Sequence, residues 1–396
     1  MRREDLAPTV RGLLVRYPAP YANHFGVVPA PPPRSGVDIR PVLDRLQAAS
    51  HAMGRLDALA RTLPDPWSAS RMLHRQEAIK SSAIEGTWST LDDLLTQEAT
   101  SEGPPTGAVA QVRDYAAALE ALLPRARAEG PAIFDRDLIG RLHEQVVRSD
   151  PDYPDPPGAL RSTVVWIGGG GNIAYSTYNP TPPADVPRCL DDCLAYMRGD
   201  DPDPAPPSLL VRMAVAHAHF EAVHPFRDGN GRVGRLLLPL MMAAEGAIPI
   251  QFSPFIEAHK DRYHDALKAA QKRLDWAVMV GFLADAVVAS TAEILATQEA
   301  LATLRLRWMG RRVFRAGSAA RRVLDLLPHH PVVTVDGLAR LLDVSFPAAA
   351  TAVRQLGEAG ILVERTGGRR NRVFAASEVL SLLDRPFGEA PVLPPE

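Results

Sequence analysis

The stretch His224-Pro-Phe-Arg-Asp-Gly-Asn-Gly-Arg-Val-Gly-Arg235 decides how this chain is read. It joins two segments, 208–223 and 231–245, whose apolar residues recur at helical spacing. Gly229-Asn230-Gly231 can turn successive backbone N–H groups toward one point and so form an anion nest. The helix that begins there adds its positive dipole end. Arg232 and Arg235, three apart, lie on one face of its first turns beside the same anion. Asp228 is placed for a hard cation such as Mg²⁺, which bridges carboxylate and phosphate oxygens. His224, at the end of the preceding helix, can take a proton from an incoming hydroxyl near neutral pH. A bare joint between helices needs no His, Asp and two Arg converging on it, so a triphosphate site is the preferred reading. Residues 229–234 also fit G-x-G-x-x-G formally, but the dinucleotide fingerprint follows a strand and this run follows a helix. No Walker A lysine occurs in the chain.

Around this stretch the composition is that of an ordinary globular protein: 396 residues, 46% hydrophobic and 23% charged. That length predicts two or three domains. Forty-four basic against forty-six acidic residues leave −2, so no whole-chain field points to nucleic acid or a membrane surface. Two cysteines, Cys189 and Cys193, rule out a disulfide-stapled scaffold. No apolar stretch follows Met1, so a secretory signal is not expected. The apolar segment Trp276–Ala292 is interrupted by Asp285 and reads as too short to cross a bilayer. A cytoplasmic chain without a membrane partner is the expectation.

Proline clusters at 18–33, 151–157, 180–187 and 202–207 mark loops or boundaries. Between them helical periodicity predicts helices over 42–63, 70–85 (stopped by Gly86), 107–123, 136–148, 184–197, 208–223, 231–245, 258–272 and 274–303. Ser162–Ile167 and Asn172–Tyr178, around Gly168–Gly171, read as a hairpin. After about residue 304 the character changes. Leu301–Leu324 holds seven arginines and no acid, and the segment 301–396 carries +5 against −7 for the remainder. Helices over 318–327, 334–342 and 346–359, then a two-stranded hairpin over 361–375, make a winged-helix pattern. The predicted division is an extension (1–35), a helical region (36–130), a core (131–303), a winged helix (304–385) and a tail (386–396). The predicted fold class is mainly α.

The run 224–235 resembles, at every defining position, the Fic family motif His-Pro-Phe-x-Asp/Glu-Gly-Asn-Gly-Arg-x-x-Arg. Upstream, Ser81-Ser-Ala-Ile-Glu85-Gly86 is similar to that family's inhibitory helix, here within 70–86, and the hairpin at 162–178 sits where the family has its flap. Downstream, Ser253-Pro-Phe and the segment Asp261–Leu267 also resemble it. The resemblance implies a Fic fold and transfer of AMP from ATP to a hydroxyl of a target protein. It implies His224 as general base, Asp228 as the Mg²⁺ ligand, Gly229, Asn230, Gly231 and Arg232 as the phosphate cradle, and Arg235 on the γ-phosphate. Phe226 would pack under the loop. Tyr263 reads equally as a residue flanking the nucleoside or as a core or surface tyrosine. Asn230-Gly231-Arg232 stands where kinase-like members carry Asn-Lys, which disfavours phosphoryl transfer. Glu85 would act as a brake by taking Arg235 from the γ-phosphate. An acid at a helix C-terminus needs a nearby cation in any case. Ser81, four residues earlier on the same face, would brace it.

Other signals have plainer readings. His217 and His219 diverge by about 200° on a helix, so a packed histidine is favoured over a metal ligand. The two cysteines, with no second pair, read as reduced core thiols. Trp166 reads equally as a core anchor or a target-docking residue, with the flap strand pairing to the target backbone. The presumed recognition helix offers Thr351, Arg354 and Gln355, and the wing offers Arg365, Arg369, Arg370 and Arg372, for duplex DNA. A dimer or partner surface is the other use of such a unit. The rival overall reading is a DNA-binding regulator whose pocket only senses nucleotide. Removal of AMP would call on the same residues.

Overall fold

The computed structural model describes residues 1–61, 70–100, 107–200, 207–367 and 371–394. The N-terminus forms a small unit that the sequence did not announce: α1 (Pro8–Arg11) and the antiparallel pair β1 (Leu14–Arg16) and β2 (Phe25–Val27). Four helices follow, α2 (Leu43–Ala60), α3 (Ser70–Ile84), α4 (Leu91–Thr100) and α5 (Gly107–Glu129). The centre is built from α6 (Arg136–Val147), α7 (Val186–Arg198), α8 (Leu209–Val223) and α9 (Asn230–Ala244). Three more, α10 (Ser253–Ala258), α11 (Lys260–Arg273) and α12 (Trp276–Arg311), complete it. In α8 every residue from Leu210 to Val223 is buried, and in α9 every residue but Gly231. Helices apolar on all sides belong at the middle of a bundle. Here α5 and α6 pack on α9, and α7, α11 and α12 on α8. The joint between α8 and α9 is the motif loop.

Two expectations are corrected by the backbone. The hairpin at 162–178 is reduced to one bridge, Ile167 with Tyr178. Gly168, Gly169 and Gly170 all take positive φ, and residues 173–175 coil into a 3₁₀ turn, so the two runs meet at that bridge and do not pair further. The apolar segment from Trp276 does not end at Ala292. Between Ala292 and Gly310 no Gly or Pro stops it, and α12 runs 36 residues to Arg311, long and apolar enough by composition to cross a membrane. It packs instead against α2, α8 and α11, and 56% of its most apolar window is buried.

The C-terminal unit comprises α13 (Ala319–Leu326), β3 (Val332–Thr334), α14 (Val335–Leu342), α15 (Phe346–Glu358), β4 (Val363–Glu364), β5 (Val373–Ala375) and α16 (Ser377–Leu383). Its antiparallel sheet has the order β3-β5-β4. The division expected near residue 304 falls inside α12, and the apolar core is continuous across it. The unit leans on the helices that precede the motif: β3 packs on α4, and Arg71 of α3 donates to the His329 carbonyl at 2.9 Å. Of the arginines expected on a wing, Arg365 pairs with Asp92 and Arg372 with Glu364, while Arg369 and Arg370 lie outside the described residues.

Candidate active site

The motif loop is held from three sides. His224 closes α8 in the left-handed region (φ 52°), a conformation a non-glycine residue keeps only where its surroundings enforce it. The enforcing group is Arg161, a buried guanidinium that donates to the carbonyls of His224 (2.7 Å), Thr163 (2.9 Å), Val223 (3.2 Å) and Thr181. Across the loop, the Asn230 side chain accepts from the Phe226 N–H and donates to the Phe226 carbonyl, both at 2.8 Å. Phe226 stacks on His143, ring centres 3.7 Å apart. The Gly158 N–H donates to His143 Nδ1 (2.9 Å), which leaves His143 Nε2–H to donate to the Asp228 carbonyl at 3.1 Å. Gly229, at φ 79°, then turns the chain into α9 with no side-chain cap, so the first amides of that helix face outward unsatisfied.

Around these amides stand the charged groups. Arg235 is 1% exposed; its Nε donates to Ser81 Oγ (2.9 Å) and its Nη2 to the Ser81 carbonyl (3.0 Å) and to Glu85 Oε1 (2.8 Å). The Glu85 carboxylate also lies against Gly231: a Cβ there would meet Glu85 Oε1 at 2.2 Å. Helix α3 delivers that acid. It ends at Gly86 (φ 88°), with the Thr87 N–H returning to the Ser82 carbonyl, and Lys260 Nζ donates to the Ile84 carbonyl at 2.6 Å. Burial alone would raise the Glu85 carboxyl, but the charge and hydrogen bond of Arg235, with Arg232 beyond, hold it below its ordinary value. Arg232 is buried and reaches Gln111 Oε1 at 3.2 Å and Asp228 Oδ2 at 3.5 Å. His224 is pushed down to about 4 by burial and then by Arg161, so it is neutral at physiological pH.

His224, Gly229, Asn230, Gly231, Arg232, Arg235, Ser81, Glu85 and Gly86 therefore meet at one place, with Asp228 at its rim. The structure gives two of the expected residues a narrower place. Asn230 spends its side chain on Phe226, leaving only its backbone N–H for an anion. Tyr263 is 2% exposed, with its hydroxyl 2.8 Å from His217 Nε2, and offers no open face to a nucleoside. His217 Nδ1–H donates to the Gly234 carbonyl (3.1 Å), so Nε2 accepts from Tyr263. His219 Nε2 points away, 3.2 Å from the Ala30 carbonyl. Cys189 and Cys193 are buried, and burial raises both thiols. Trp166 is half-buried beside Tyr21, edge to face at 5.5 Å. Arg161 and His143 escaped the sequence reading, because nothing in their local spacing marks residues that act from 63 and 85 positions away. Glu221, three before His224 and one helical turn back, was visible but unread.

Residues 43–122 match the Fic/DOC family N-terminal model, and residues 133–242 match the Fic/DOC family model. A probable protein adenylyltransferase of Aquifex aeolicus (strain VF5) is 28% identical over 117 residues, 30% of this chain and 32% of that one. Protein adenylyltransferase fic-1 of Caenorhabditis elegans is 32% identical over 114 residues, 29% and 20% of the two chains. Protein adenylyltransferase Fic of Nematostella vectensis is 26% identical over 199 residues, 49% and 43%. The matched part thus spans less than half the length of these curated relatives. The crystal structure of a Fic family protein from Desulfovibrio desulfuricans G20 shares the fold over 88% of this chain and 98% of its own, with a TM-score of 0.53 at 20% identity. The chain thus carries Fic/DOC family domains in tandem over residues 43–122 and 133–242, the second of which contains the motif loop.

Proposed function

We propose that this protein transfers AMP from Mg-ATP to a Ser, Thr or Tyr hydroxyl of a target protein, and of itself, releases diphosphate, and is restrained by Glu85. The observation that carries the reading is the carboxylate of Glu85 seated on Gly231 and hydrogen-bonded to Arg235. A negative group is held where a helix N-terminus and buried arginines converge, which is the setting a phosphate requires. Its relatives carry the name protein adenylyltransferase. A neutral His224 at the same place adds a base, which a nucleotide sensor has no use for.

Each residue then has a task. The target hydroxyl gives its proton to His224 as its oxygen attacks the α-phosphorus. The bond from that phosphorus to the bridging oxygen breaks, and diphosphate leaves with the electron pair. The amides of α9 and Arg232 hold the phosphates against the helix dipole. Arg235, once free of Glu85, takes the γ-phosphate and sets the diphosphate in line for departure. Asp228 suits a magnesium ion. Its side chain is 68% exposed, touches only Arg232 at long range, and belongs to no cluster of three ligating side chains among the described residues. Magnesium is commonly held by one or two carboxylates together with substrate phosphates, and when bound it neutralises developing phosphate charge.

The test is mass spectrometry of the full chain after incubation with Mg-ATP, comparing wild type, Glu85→Gly and His224→Ala combined with Glu85→Gly. A mass gain of one AMP in Glu85→Gly that disappears with His224 supports the reading. No gain in any variant, with ATP binding intact, contradicts it.

A further inference from the structure

Behind the proposed base lies a carboxyl group that the scheme above does not use. Glu221 is buried on α8, one turn before His224, and its Oε2 stands 3.9 Å from His224 Nδ1. Both sides of this gap are short of side-chain partners among the described residues: Glu221 Oε1 is enclosed without a hydrogen bond, and the enclosed His224 Nδ1 has the Glu221 backbone carbonyl beside its ring but no side chain bonded to it. The pocket for the carboxyl is shaped by the motif helix, because a Cβ on Gly234 would meet Glu221 Oε1 at 2.6 Å. An ionisable group enclosed without a hydrogen bond is unfavourable unless something in the working cycle requires it.

We infer that Glu221 is the positioning residue for His224: it turns Nδ1 inward, leaves Nε2 as the proton acceptor, and balances the imidazolium that forms when the target hydroxyl is deprotonated. This rests on the proposed AMP transfer. The proton moves from the hydroxyl to His224 Nε2, the new oxygen–phosphorus bond forms, and diphosphate leaves. The positive charge created on the ring then faces a buried carboxylate across Nδ1. An acid that orients a base and answers its charge is the third member of a catalytic triad, which is recognised by geometry and not by sequence order.

The charged surroundings agree. Burial pushes Glu221 up to about 7, opposed by Arg235 and reinforced by Glu85, with Tyr263 also facing it. His224 is flanked by Arg161, Glu85 and Asp228, with the Glu221 backbone carbonyl beside its ring. Two buried groups this close titrate as a pair, so protonation of one is felt at the other. Withdrawal of Glu85 removes a like charge and eases Glu221 toward its ionised form.

The experiment has two arms, on the full chain. In the Glu85→Gly background, Glu221→Gln should lower kcat for AMP transfer at least tenfold while KM for ATP stays within about twofold, and Glu221→Asp should recover part of the loss. Equal kcat in the Gln variant overturns the assignment. The second arm needs no turnover. Nitrogen NMR of ¹⁵N-histidine-labelled protein, with His224 assigned by His224→Ala, should show a titration curve for the His224 ring that differs between wild type and Glu221→Gln. Superimposed curves overturn the assignment. If the curves differ but no variant transfers AMP, the pairing stands and the proposed activity alone fails.

Discussion

Replacing Glu85 with Gly should convert a restrained protein into an active one. The perturbation removes one carboxylate oxygen from 2.8 Å of Arg235 Nη2 and clears the face of Gly231. At an effective dielectric near 20, unit charges about 4 Å apart attract by about 4 kcal/mol. The Glu85 side chain is 40% exposed, so water takes back much of this, and a net coupling of about 1–3 kcal/mol between brake and nucleotide is reasonable. That corresponds to roughly 5–150-fold in transfer rate. A second consequence follows from burial. Arg235, 1% exposed, keeps Ser81 and the neighbouring Tyr263 hydroxyl but loses its carboxylate partner once Glu85 is gone. The variant should therefore melt lower than wild type without nucleotide and regain stability with Mg-ATP, whose γ-phosphate restores a counter-charge. Glu85→Gln, which keeps the side chain without its charge, should fall between the two and separates loss of charge from fraying of the α3 terminus. Arg235→Ala should be slow, and adding Glu85→Gly to it should rescue little. The assay is AMP incorporation by mass spectrometry at saturating Mg-ATP, with melting curves in parallel. A Glu85→Gly variant no faster than wild type, and equally stable without nucleotide, would refute the competition for Arg235.

His224→Ala should reduce transfer by about 10²–10⁴ while ATP affinity, measured by calorimetry, changes little. Asp228→Ala should shift the magnesium dependence of transfer to higher concentration, and an unchanged Mg²⁺ titration would return Asp228 to the role of a turn residue. Acid should weaken the fold before it protonates ordinary carboxylates. His74, His143, His219 and His224 are each held down to about 4 by burial, against 6.5 when unfolded. The unfolded chain thus binds protons first. Their contribution is complete above pH 6.5 and is lost as pH falls through 4, with at most about 1.4 kcal/mol per pH unit from each. Glu221, raised to about 7, works with the opposite sign, as do the raised carboxyls of Glu77 and Asp384, but the depressed histidines, with His217, His264 and His330 added, outnumber them. Urea midpoints measured from pH 7 to 4 check this, and a flat profile contradicts it.

What was legible in the sequence was what local pattern encodes. The motif loop, the helix that carries Glu85 and its stop at Gly86, and the buried pair α8 and α9 all follow from spacing and residue type within a few turns. The 162–178 hairpin failed because alternating apolar residues describe a strand only when a partner lies alongside, and four successive glycines with a 3₁₀ turn prevent that. Tyr263 was left between two readings because a tyrosine in a helix says nothing about which neighbour takes its hydroxyl; His217, 46 residues away, decides for the core. Arg161 and His143 were invisible for the same reason: both act on backbone carbonyls of the loop, which leave no trace in sequence. Helix α12, expected over 274–303, runs on to Arg311 through Asp285, which had been read as an interruption of its apolar stretch. In the fold it sits at the edge of the buried face, paired with Arg262 at 2.7 Å.

The most direct measurement uses Glu85→Gly protein and ATP labelled in turn at the α- and the γ-phosphate. If His224 activates a hydroxyl against the α-phosphorus, the α label becomes fixed to protein, the γ label leaves in diphosphate, and both disappear as products when His224 is replaced by Ala. Protein that takes the γ label instead, or takes neither while still binding Mg-ATP, contradicts AMP transfer at this site.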